Sequence, residues 1–179
     1  MTQSLPGRPK VYRRRRGLRG FTLVELMVVI VIAGVLATIA FNRLMFYSER
    51  AEKSAMDATL AATKLGLQIR LAELIVTNRQ MAAAQLEREN PMHWLEEPPA
   101  DYLGDYREPA KPGSWYFAAD AAQIVYVPNN TSYLQGLEDD KKELRFRVGL
   151  RYDEIELGGV KVKSLTGVGL VPVKPYRWF

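Results

Sequence analysis

A run of 17 uncharged residues, Leu26 to Asn42 (LMVVIVIAGVLATIAFN), lies just behind a basic block and limits the fold of this chain more than any other feature. Wound as a helix it has no polar face to turn to water. At ~1.5 Å per residue, the 21 residues from Phe21 to Phe41 match the ~30 Å hydrocarbon core of a bilayer. A fully buried core helix is the competing arrangement, but one small domain seldom surrounds a helix on all sides. Seven of the 25 basic residues (Arg8, Lys10, Arg13, Arg14, Arg15, Arg16 and Arg19) fall within residues 1–20, which hold no acid, and 18 face 20 acids beyond. The formal charge of +5 therefore belongs to that tail. The positive-inside rule keeps the tail cytoplasmic and sends the C-terminal domain across the membrane. A nucleic-acid partner is not expected, because it would need a basic patch on the folded domain.

Two boundaries flank the run. Ala33, Ala37 and Ala40 offer small residues for an ordinary secretory cleavage after it. Gly20 marks the other, between the basic block and Phe21-Thr22-Leu23-Val24-Glu25-Leu26. Glu25 is a lone carboxylate at the start of the apolar run. A charge costs ~2.5 to 3.5 kcal/mol at a membrane centre and less near the interface, so Glu25 calls for a partner or a task.

Gly20 followed by FTLVELMVVIVIAGVLATIA resembles the class III signal of type IV pilins and pseudopilins. The resemblance implies that a prepilin peptidase cuts between Gly20 and Phe21 and methylates the new amine of Phe21. It implies that the apolar segment stays as the subunit's N-terminal helix. It also implies that Glu25 neutralises the terminal amine of a neighbouring subunit during filament assembly. Gly34 falls at a usual position, and Asn42 stands where many members carry proline. The organisation expected is a leader at 1–20 that is removed, a transmembrane and filament-core helix at 21–42, an amphipathic helical region at 43–90, a Pro-rich loop at 91–114 and an antiparallel sheet domain at 115–179. The fold class is α+β and type IV pilin-like, a long N-terminal helix packed on a C-terminal antiparallel sheet.

The residues beyond the run support that outline. No proline interrupts 21–90, and Ala58, Ala62, Leu65, Ile69, Ala72 and Val76 recur at helical spacing, which predicts one long helix to about Asn78 and a shorter helical stretch from Gln80 to Glu89. A coiled coil is the alternative for that stripe, although its alanines make it shallow. Five prolines and two glycines fall in 91–114. Strands are predicted at 115–117, 123–127, 144–152 and 160–162, with turns at Pro128-Asn129-Asn130, Gly158-Gly159 and Gly167-Val168-Gly169.

Catalytic chemistry finds little support. His93 is the single histidine and there is no cysteine, so two-His metal sites, HExxH and thiol catalysis are all excluded. Neither a GxSxG elbow nor a Walker loop occurs. No enzyme, no cofactor and no metal is expected. Glu138-Asp139-Asp140 could lend oxygens to Ca²⁺ without forming an EF-hand, and Lys141-Lys142 beside it favours a solvated charged turn. The aromatic residues Tyr176, Trp178 and Phe179 suit either burial or a subunit contact. The reading is a minor pilin or pseudopilin of a type IV pilus or type II secretion pseudopilus, anchored in the inner membrane by one span with its domain periplasmic. Its partners are other pilin subunits and the peptidase. The alternative is a membrane-anchored periplasmic ligand-binding domain that does not polymerise. A DNA-uptake pilin would have to use Lys141, Lys142, Arg145, Arg147 and Arg151, the one cationic cluster past the leader.

Overall fold

The computed structural model describes residues 20–136, 142–157 and 160–179, without the side chains of Ile155, Leu157 and Val160. Helix α1 runs from Leu23 to Val76, through Asn42 without a break. Short 3-10 helices follow at Gln80–Glu87 and Pro91–Trp94. The strands are β1 (Tyr102–Asp105), β2 (Ser114–Ala118), β3 (Gln123–Val127), β4 (Leu134–Gln135), β5 (Leu144–Leu157), β6 (Val160–Pro172) and β7 (Arg177–Trp178). The chain divides into two compact units after Arg43.

In the first unit α1 is apolar all round. Its most apolar window has a mean hydropathy of 2.7 and none of it is buried. Thr38, a residue of low helix propensity, sends its hydroxyl back to the Gly34 carbonyl at 2.9 Å, so even the polar atom in the run is satisfied within the helix.

In the second unit, the part of α1 from Leu44 onward packs on a five-stranded sheet of order β1-β2-β3-β5-β6, and β4 pairs with β7 in a separate ribbon. Met56, Thr63, Leu67, Leu71 and Leu74 are buried, and Leu60 is partly buried beside them. They meet Trp115, Ile124, Tyr126, Leu144 and Phe146 at one end and Val148 and Val168 at the other. This corrects the expected stripe: Ala58, Ala62, Leu65, Ile69, Ala72 and Val76 are all exposed. Both stripes share the helical period, so periodicity alone does not choose between them. Side-chain size does, because a buried Leu or Met contributes ~1.5 to 3 kcal/mol and an alanine far less.

The sheet differs from the expectation in three places. The region 91–114, read as a loop, contains a 3-10 turn and β1, which pairs with β2 in parallel, so the sheet is antiparallel-rich and mixed at one edge. Gly167-Val168-Gly169, read as a turn, lies inside β6, which runs ten residues past the predicted end at 162 and pairs with β5 almost throughout. Gly158-Gly159 lies outside the described residues, and 128–143 is a long connection carrying β4 rather than a tight turn. The stretch 80–87 is a 3-10 helix; its Ala83 and Leu86 are buried against α1, so tertiary packing sets it rather than helical propensity. The 106–113 segment crosses the outer face of β2 and β3, with Tyr106 and Ala110 on Tyr116 and Val125.

Gly66 is the point of closest approach to α1. A Cβ there would collide with the Trp94 carbonyl oxygen and lie 3.0 Å from its carbon, both backbone atoms. Arg70 rests over the Trp94 ring at 4.4 Å, which fixes the turn on the helix from the other side. Gly66→Ala gains ~1 kcal/mol of helix propensity but must displace this segment, so the expected net effect is a loss of ~1 to 3 kcal/mol. Urea unfolding of the detergent-solubilised chain followed by tryptophan fluorescence checks this.

Glu49 is 1% exposed, and its Oε1 accepts the Trp178 indole N–H at 2.9 Å and the Tyr133 backbone N–H at 2.9 Å. Removing the carboxylate orphans both donors in a site too enclosed for water to replace it fully. Glu49→Ala is expected to cost ~2 to 4 kcal/mol in the same unfolding assay and to expose Trp178 to quenchers before global unfolding.

Candidate functional site

The start of α1 is built by a capping arrangement. Thr22 stands just before the helix, and its Oγ1 accepts the Glu25 backbone N–H at 3.2 Å while its carbonyl accepts from Leu26 at 3.1 Å. Thr22-Leu23-Val24-Glu25 has the spacing of a capping box, in which the glutamate would reach back to the threonine N–H. Only the threonine half is made. The Glu25 carboxylate is exposed and has no hydrogen-bond or ionic partner among the described residues. Its position in the first turn puts negative charge at the positive end of the helix dipole, worth ~0.3 to 1 kcal/mol. The capping box was legible in the sequence at 22–25 and is a signal that the pattern of apolar residues did not reveal.

Gly20 is exposed, and Phe21 is 79% exposed ahead of the cap. Gly20, Phe21 and Glu25 thus lie together at one helix start, with the Glu25 carboxylate one turn from Phe21. From Leu23 to Phe41 the large apolar side chains of α1 are exposed on every side. Such a surface is stable only where an apolar solvent or other apolar helices cover it.

Among the described residues no group of three His, Cys, Asp or Glu side chains comes together to hold a metal ion. His93 is exposed, with Nε2 3.4 Å from Asn90 Nδ2. Glu138-Asp139-Asp140 lies outside the described residues. Burial and the Glu52 carboxylate, which accepts the Tyr126 hydroxyl at 2.9 Å, push that hydroxyl well above the usual tyrosine range. The aromatic tail resolves toward burial: Trp178 is 3% exposed, and Phe179 stacks on Tyr133 at 5.2 Å. Of the cationic cluster, Lys142 reaches Thr131, Arg145 pairs with Glu143, and Lys141 lies outside the described residues.

The prokaryotic N-terminal methylation motif matches residues 15–41. Type II secretion system core protein G of Klebsiella michiganensis is 39% identical over 56 residues, covering 31% of this chain and 39% of that protein. The type IV narrow pilus major component PilA5 of Thermus thermophilus is 46% identical over 46 residues, covering 26% of this chain and 40% of that protein. The chain spans about two fifths of the length of these curated relatives. No solved structure matches it significantly. A long apolar N-terminal helix followed by an antiparallel-rich sheet gives the chain an α+β, pilin-like arrangement, and its N-terminal part is similar to a type IV pilin and a type II secretion pseudopilin.

Proposed function

We propose that this chain is a non-enzymatic structural subunit, a minor pilin or a pseudopilin, of a type IV pilus or a type II secretion pseudopilus, held in the inner membrane by the first part of α1 until it assembles. One observation carries the reading: a helix apolar on all sides begins at a capped turn whose glutamate has no partner among the described residues of its own chain. A plain membrane anchor gains from an acid at that position only the ~0.3 to 1 kcal/mol of the helix dipole, whereas a subunit leaving the bilayer needs a counter-charge for a neighbour's amine. The prepilin peptidase is the partner that would create this amine, by cutting after Gly20 and methylating Phe21. The basic tail keeps the cut on the cytoplasmic side and the second unit on the periplasmic side.

Intact-mass analysis of chain extracted from membranes is expected to give a mature protein that begins at methylated Phe21. Recovery of a chain that still carries residues 1–20 in peptidase-positive cells, or one that starts after Ala40, overturns the cleavage assignment.

Glu25→Val separates anchoring from assembly. The substitution removes a charge from the apolar run, so insertion and cleavage are expected to be intact. In the assembled state the Phe21 amine of a neighbour would stay unpartnered in low dielectric, at a cost of ~3 to 5 kcal/mol. The variant subunit is therefore expected in membranes but depleted from sheared filaments. Normal incorporation would overturn the pairing, and a wild-type chain that never enters filaments would favour the non-polymerising anchored domain.

A further inference from the structure

The second unit carries two exposed surfaces of opposite character, one on its helix and one on its sheet. On the helix side, the exposed residues Leu65 and Ile69 of α1 line a groove of about 990 Å³ with Trp94, Leu95, Glu96 and Glu97. Its lining has two exposed carboxylates and no Lys or Arg. Lys64 of α1 reaches Gly169 in the second surface, which is made by the residues of β5 and β6 that alternate with the buried Val148 and Val168. They include Arg147, Arg151 and Val171, all exposed. Neither arginine has an ionic or side-chain hydrogen-bond partner among the described residues. Glycines floor this face: the Arg151 guanidinium lies 3.6 Å from where a Cβ on Gly167 would be, and Val171 Cγ2 lies 3.3 Å from the corresponding point on Gly149.

We propose that the acidic apolar groove of one copy receives the Arg147, Arg151 and Val171 face of a second copy, head to tail. The contact rests on the assembly reading above and names the surfaces it would use outside the apolar helix. Charge complementarity selects the occupant: the groove presents Glu96 and Glu97 beside Ile69, and the sheet presents Arg147 across the ladder from Val171 and Arg151 four residues along, neither with an ionic partner among the described residues. Because the two faces differ, the contact is heterologous, repeats from copy to copy and leaves one free face at each end. The exposed charges set register and exclude like-faced pairing, and the apolar centre supplies the burial.

The natural chain has no cysteine, so disulfide mapping on the full chain in its own membranes has no background. The double variant Ile69→Cys/Val171→Cys is expected to give, on mild oxidation, a ladder of linked dimers and higher species. Either single variant alone is expected to give none. Arg147→Glu/Arg151→Glu added to the cysteine pair should abolish the ladder, and Glu96→Arg/Glu97→Arg added in turn should restore it, which a misfolded chain would not do. No ladder from the double variant, dimers from Ile69→Cys alone, or a ladder indifferent to the reversals overturns the proposal. Parallel shearing of wild-type cells separates the two readings: a missing ladder with wild-type subunit present in filaments sinks this contact alone, and a missing ladder with wild type absent from them sinks assembly as well.

Discussion

Two carboxylates one turn apart on α1 hold the second unit together. Glu49 accepts from Trp178 and the Tyr133 backbone, and Glu52 accepts from the Tyr126 hydroxyl and from both the backbone and side-chain nitrogens of Asn129. The connection between β3 and β5 carries β4, and the backbone N–H groups of Asn129 and Tyr133 within it end on these two acceptors. A buried carboxylate is costly unless its lone pairs are filled, and Glu49 is filled from two separate elements. The same geometry sets the face of the helix. With Glu49 and Glu52 committed to the sheet side, Met56, Leu60, Thr63 and Leu67 follow at helical spacing onto that side.

The exposure of the opposite face is a consequence. Once the larger side chains are spent on the sheet, Ala58, Ala62, Leu65 and Ile69 are left outward, and Gly66 lets the Trp94 turn close over one flank of them. The groove is thus a by-product of how the core is satisfied. The sheet's outer face is treated differently at its two ends: the 106–113 segment covers β2 and β3, and β5 and β6 are left open.

The sequence was legible where one physical constraint dominates. An uncharged run behind seven basic residues has few fates, and the order of glycine, aromatic, threonine and glutamate at 20–25 narrowed them further. The alternation of Arg145, Phe146, Arg147 and Val148 placed β5 and its two faces, because period two has one reading on a half-buried strand. Legibility failed where contacts distant in sequence decide. Period 3.6 fits the shallow stripe and the deep one equally, and the carboxylates that tip the balance find their partners 74 to 129 residues away. Gly167 and Gly169 read as a turn because glycine is enriched there; in the fold Gly167 lies under the Arg151 guanidinium and Gly169 meets the Lys64 side chain of α1. β1 was hidden among prolines, and a four-residue parallel strand leaves almost no pattern to find.

The attachment of β7 has one more implication. Many small exported domains fasten their last strand with a covalent bridge, and so reach their final form only in an oxidising compartment. Here the fastening is an indole donating to a glutamate, with Phe179 laid on Tyr133 beside it. Closure of this unit is therefore indifferent to thiol chemistry: it requires no oxidant, no isomerase and no particular glutathione poise, and strong reductant leaves it intact.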